Sequence, residues 1–175
     1  CGKPGPGAAR NMGAKHAKGL FLLFIDSDCV PAASLMTGYV EARMKDKYNS
    51  VAYAGFIDAL GRDVLSNYYV SQHIHLPPTI INSDSSPKYL VTANALVCKK
   101  AFDGVGGFDE TFVLAGGEDI DLALRLRQFG RLTFAPKSVV FHDFNDGMVG
   151  FVTRFFRYGQ GLKMLKSKYP DYGFP

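Results

Sequence analysis

Apolar residues along this chain gather into short runs of strand length, separated by stretches in which they recur at helical spacing. The clearest run is Leu20-Phe21-Leu22-Leu23-Phe24-Ile25. Six apolar residues without a polar interruption describe a strand covered on both faces, as in a parallel α/β sheet. The run stops at Asp26-Ser27-Asp28, and Pro31 introduces a helix over 32–45. Further strands are predicted at 51–57, 89–98, 132–134 and 138–141. Helices are predicted at 8–18, closed by Gly19, and at 118–129, closed by Gly130. The second has acids in its first turn and Arg125 and Arg127 near its end, in agreement with the helix dipole. Residues 61–88 lack periodicity apart from some helix at 67–73, and Pro77-Pro78 with a Ser/Asp cluster at 83–86 marks a long loop of the kind that serves binding. A last helix over 150–168 is basic and carries Phe151, Phe155, Phe156 and Leu162. The alternation predicts an α/β fold, with residues 1–148 as its core and 149–175 as a basic amphipathic helix and tail.

Composition narrows the function classes. At 175 residues, 47% hydrophobic and 21% charged, the chain can bury a core and is not disordered. A net charge of +4 does not imply nucleic acid, and none is expected as a partner. Cys1, Cys29 and Cys98 are scattered and odd in number, without a CxxC pair, so a reducing, cytoplasmic setting is expected. No apolar run approaches the roughly 20 residues needed to span a bilayer. The glycine- and proline-rich opening, Gly2 to Gly7, matches no phosphate-loop spacing and is read as a turn. A start at Cys1 inside that stretch leads us to expect a piece of a longer protein.

Three constellations can carry chemistry. Asp26-x-Asp28 follows a buried strand, where open α/β sheets bind ligands. Two close acids repel unless a cation or hydrogen bonds compensate, and oxygen ligands suit Mg²⁺ or Mn²⁺. The alternative is a helix cap followed by a solvated turn acid. Gly116-Gly117-Glu118-Asp119 opens a helix, where a carboxylate tends to stay ionised, as a general base must. Plain N-capping explains the same residues. His142 stands just past an apolar strand and matters only if the fold returns it to Asp28. His73 and His75, in the irregular loop, are read as surface residues.

Taken in order, these strings resemble a family. Ala8-Ala9-Arg10-Asn11-x-Gly13, the strand ending in Asp26-Ser27-Asp28, Thr92-Ala93-Asn94, Val105-Gly106-Gly107-Phe108-Asp109-Glu110, Gly117-Glu118-Asp119-Ile120-Asp121-Leu122 with Arg125, and His142 are similar to family 2 glycosyltransferases of the GT-A fold. The resemblance implies a mixed sheet flanked by helices and transfer of a sugar from a nucleotide-diphosphate sugar, with inversion, to a glycan, lipid or small-molecule hydroxyl. It places Arg10 near the donor nucleotide, Asp26 and Asp28 on donor and metal, and His142 as a further metal ligand. It puts Asn94, Gly116 and Gly117 along the donor sugar and acceptor. Asp119 becomes the general base, with Glu118 beside it.

The chain departs from the family pattern at two points. The strands that hold the nucleotide base would precede Cys1, so the chain alone is expected to be inactive, to bind nucleotide weakly and to pair the bare edge of its first strand with another copy or with the remainder of its parent chain. The Gln-x-x-Arg-Trp motif of processive members is absent, since Arg154-Phe155-Phe156-Arg157-Tyr158-Gly159-Gln160 stands in its place. The basic last helix is expected to dock outside the active site, either on anionic lipid at the inner membrane face or as a brace on the core. Two other functions keep the same fold, a non-catalytic sugar-binding module and a nucleotidyltransferase. The joint presence of Asp26, Asp28, Asp119 and His142 argues against the first.

Overall fold

The computed structural model describes residues 4–71, 86–144 and 146–172. Among them the elements run α1 (Pro6–His16), β1 (Phe21–Ile25), β2 (Cys29–Pro31), α2 (Leu35–Lys45), β3 (Ser50–Ala59), α3 (Val64–Ser71), β4 (Asn94–Cys98), α4 (Lys99–Gly104), α5 (Glu118–Leu126), β5 (Arg131–His142) and α6 (Gly147–Lys168). The five strands form one mixed sheet in the order β1-β4-β3-β5-β2. β3 and β5 are parallel, whereas β1 on β4, β4 on β3 and β2 on β5 are antiparallel.

The apolar run of β1 is covered on both sides, with Leu22 and Phe24 buried and Phe21, Leu23 and Ile25 half-buried. Leu22 and Phe24 join Val97, Phe102, Phe108, Leu122 and Leu126 beneath α1, α4 and α5. Phe21, Leu23 and Ile25 pack towards Leu35, Tyr39 and Tyr53 beneath α2. The expected parallel pairing of this strand is corrected, because β1 is an edge strand paired antiparallel with β4. Helices on both faces cover it, so double-sided burial does not by itself specify strand direction.

Other boundaries move for local reasons. The two strands expected at 132–134 and 138–141 are one strand, β5. Gly55 pairs with Ala135 and Phe56 with Val139, so 136–138 leaves the ladder; Pro136 has no N–H to contribute there. Asn94 holds that break. Its Nδ2 donates to the Phe56 and Ser138 carbonyls at 2.9 and 2.8 Å, and its Oδ1 accepts the Tyr39 hydroxyl at 2.7 Å. Any side chain at Gly55 would overlap the Asn94 amide. The strand expected from 89 begins only at Asn94, and 99–104, expected as loop, is the short helix α4. α5 ends at Leu126 rather than 129, and α6 begins at Gly147 rather than 150. Cys1, His73 and His75 lie outside the described residues. No helix among the described residues is long and apolar enough to cross a membrane.

Candidate active site

The chain passes from β1 at one edge of the sheet to β2 at the other through only Asp26, Ser27 and Asp28. Because β1, β3 and β5 all run in one direction, this turn crosses the carboxyl end of the sheet, where β5 delivers His142. Asp28 and His142 come together there. The Asp28 Oδ1 is 3.6 Å from the His142 Nε2, and the Asp28 side chain is 47% exposed while the histidine is buried. The His142 Nδ1 lies 2.8 Å from the Asp143 carbonyl oxygen. A carbonyl can only accept, so Nδ1 carries the proton and Nε2 faces Asp28. Burial, set against the pull of Asp28, holds the imidazole below its ordinary pKa and therefore neutral, the state in which it ligates metals. Its ring stacks on Phe144 with centroids 4.3 Å apart, and Phe144 stacks in turn on Tyr69.

Asp26 points elsewhere. Arg10, from α1, donates through Nη2 to the Asp26 Oδ1 at 2.6 Å and through Nη1 to the Glu118 Oε1 at 2.8 Å. The expected set of Asp26, Asp28 and His142 is corrected accordingly. The described donor atoms that lie within 4.8 Å of one another belong to Asp28, Cys29 and His142. A carboxylate and a neutral imidazole suit Mn²⁺ or Mg²⁺, so the site fits such an ion without Asp26.

The second acidic pair sits at the start of α5. Gly116 and Gly117 have φ values of +133° and +106°, a turn that side chains resist. Glu118 is buried, and its Oε2 accepts the Gly116 N–H at 2.8 Å, so Arg10 and the turn together occupy both its oxygens. Asp119 remains partly accessible and faces the pocket. Burial first, and then the charge of Glu118, push its pKa up to about 7. Asp121, fully buried, binds Arg125 through one oxygen and Lys168 and Tyr169 through the other. It ties α5 to the end of α6.

These groups line a cavity of about 650 Å³ that contains Arg10, Asp26, Asp28, Gly116, Gly117, Glu118, Asp119 and His142. Asn94 is absent from its wall, and its amide is fully engaged in holding β5, so its expected donor contact is corrected to a structural role. The expectation that α6 lies apart from the site is corrected as well. Arg154, Arg157, Tyr158 and Leu162 form one side of the cavity. A side chain at Gly161 would overlap the Gly116 carbonyl, so the helix backbone rests directly on the turn before Asp119. The phenylalanines misled the sequence reading, since Phe156 is 64% exposed. Arg154, Tyr158, Gly161 and Leu165 recur at helical spacing, and a glycine amid that stripe was the signal for a close backbone approach. A larger groove, about 770 Å³, lies at the other end of β5. Its charges do not converge, and Lys137 there pairs with Glu41 in solvent. The smaller cavity is the candidate site.

Residues 2–105 match the family model described as glycosyl transferase family 2. Among solved structures, the chain is similar to GalNAc-T7 with UDP, GalNAc and Mn²⁺, with a TM-score of 0.59 and 20% identity over 80% of this chain and 30% of that one. It is also similar to the mannosyltransferase PcManGT from Pyrobaculum calidifontis in complex with GDP-Man and Mn²⁺, with a TM-score of 0.65 and 18% identity over 97% of this chain and 45% of that one. The chain thus spans less than half the length of either protein. No curated protein matches it. The fold is the GT-A fold that the resemblance implied.

Proposed function

The chain belongs to glycosyl transferase family 2, and from that premise we propose that it moves a sugar from a nucleotide-diphosphate sugar to an acceptor hydroxyl, with inversion and with Mn²⁺ or Mg²⁺. The observation that carries the reading is the division of labour among four acids. Arg10 holds Asp26 and Glu118, which leaves Asp28 with His142 on one side of the cavity and Asp119 on the other.

Asp119 is the base. It takes the proton from the acceptor hydroxyl as the oxygen attacks the anomeric carbon, and a pKa near 7 suits that transfer at neutral pH. Arg10 keeps Glu118 and the Gly116 turn in place, so the Asp119 carboxylate has one direction. Asp28 and His142 are the residues that would hold the ion, which when bound neutralises charge on the departing diphosphate. Arg154 and Arg157 bring positive charge to the same cavity from α6. The two solved neighbours, one with UDP and the other with GDP-Man and each with Mn²⁺, support the donor and ion classes.

The test is donor turnover by the full-length protein across a panel of nucleotide sugars with Mn²⁺. Free sugar and nucleoside diphosphate are the expected products. Pyrophosphate would make the protein a nucleotidyltransferase, and binding without turnover would make it a sugar-binding module.

A further inference from the structure

The proposed reaction leaves Cys29 without a role, yet the fold sets it beside the ion ligands. Cys29 opens β2 and is the direct register partner of His142 on β5. Residues paired this way project to the same face of a sheet. Its sulfur, an Asp28 carboxylate oxygen and a His142 ring nitrogen all lie within 4.8 Å of one another. Around a tetrahedral ion with metal–sulfur and metal–nitrogen bonds of about 2.3 and 2.0 Å, neighbouring ligand atoms are roughly 3.5 Å apart. The Asp28–His142 separation of 3.6 Å already meets that spacing, and the thiol needs to close by no more than about 1.3 Å. Cys98, the other described thiol, pairs with Phe21 and has no such company.

We propose that Asp28, Cys29 and His142 form a three-ligand site for a thiophilic divalent ion, Zn²⁺ or Co²⁺, at the position that the reaction assigns to Mn²⁺ or Mg²⁺. The chemistry of the ligands separates the two classes. Hard ions take oxygen and imidazole and leave the thiol uncoordinated. Softer ions recruit the sulfur as well, and the thiol proton passes to solvent as the bond forms. One sulfur, one nitrogen and one oxygen with a fourth position open is a donor set that zinc accepts. The general affinity order places Co²⁺ and Zn²⁺ above Mn²⁺, and the thiol steepens it. Zn²⁺ therefore displaces Mn²⁺ and occupies the cavity without the oxygen-rich coordination that a diphosphate favours.

The inference rests on the proposed function only in placing Mn²⁺ at Asp28 and His142, and its test reads the metals directly. Metal-free protein titrated with Co²⁺ is expected to show thiolate-to-cobalt charge-transfer absorption in the near ultraviolet. Cys29→Ser is expected to abolish that band and to weaken the displacement of Mn²⁺ by Zn²⁺, followed by the electron paramagnetic resonance of released Mn²⁺, by about tenfold. Cys98→Ser should preserve the band. A wild-type protein without the band, or a band that survives in Cys29→Ser, overturns the proposal. Failure of Mn²⁺ to bind counts against the reaction reading alone, because the cobalt band still decides the role of Cys29.

Discussion

Two acidic pairs line the cavity and are joined by Arg10: Asp26 and Asp28 at the end of the sheet, and Glu118 and Asp119 at the start of α5. In each pair one acid is bound by Arg10 and the other is turned to the pocket. The two remaining acids differ in setting. Asp28 is nearly half exposed beside a neutral histidine, whereas Asp119 is embedded beside Glu118 and holds its proton up to about pH 7. The difference shows how one side-chain chemistry can serve two tasks. Exposure suits a carboxylate that meets a cation, and desolvation suits one that must accept a proton.

The most severe way to break this contrast is Asp119→Asn, which keeps the shape and removes the proposed base. In the full-length enzyme, turnover is expected to fall by about 10²-fold or more with donor affinity unchanged. Glu118→Gln should cost less in rate, since that side chain holds the turn rather than the substrate. A single-turnover assay on both variants checks the order, and near-normal turnover in Asp119→Asn would remove it from the mechanism.

Next in size is Arg10→Met, which leaves Asp26 and buried Glu118 without their common partner. Breaking such a pair by removing one member is expected to destabilise the protein by about 3 kcal/mol, read by denaturant unfolding. A loss like that of an exposed pair would show that solvent already screens the bridge.

Acidity separates the two pocket acids more gently. With the Asp119 pKa raised to about 7, kcat/KM is expected to fall about tenfold per pH unit below that value. The linkage has a definite sign. The folded state binds this proton more tightly than the unfolded chain, so the stability contribution of Asp119 falls as pH rises from 3.8 towards about 7. Asp119→Asn should therefore be more thermostable than the parent at pH 8, with the advantage shrinking at pH 4. A Tm difference that does not change with pH would place the carboxylate in solvent.

The smallest effect is expected at Lys137 and Glu41, an ion pair with side chains 71% and 56% exposed beside the break in β5. Lys137→Ala should change stability by less than about 0.5 kcal/mol and leave the rate untouched. A clear loss of activity would mean that the larger groove matters.

The acids were legible in the sequence because each follows a local signal, an apolar run for Asp26 and Asp28 and a glycine turn opening a helix for Glu118 and Asp119. The resemblance singled out Asp119 as the base, but the ion pairing that sets one acid of each pair apart from its neighbour was not legible. That depends on Arg10, which lies 16 residues from one partner and 108 from the other. Strand existence was readable for β1, β3 and β5, yet strand direction was not, since two-sided burial arises equally from helices packed on an antiparallel edge. Asn94 illustrates the reverse error. The resemblance implied a ligand contact there, whereas the break at 136–138 supplied carbonyls that consume its amide. Arg154, Arg157 and Tyr158 escaped because exposed phenylalanines occupy neighbouring positions on the same helix.

Gly161 rests against the Gly116 carbonyl with no side chain between the two backbones. Two surfaces that meet in this way have no soft layer to absorb relative motion, unlike side chains that can change rotamer. The turn carrying Glu118 and Asp119 must therefore travel with the 22 residues of α6 whenever either is displaced. Amide exchange in the middle of that helix then becomes a reporter of pocket occupancy. A ligand that steadies Asp119 should slow exchange several turns away, at residues it never touches.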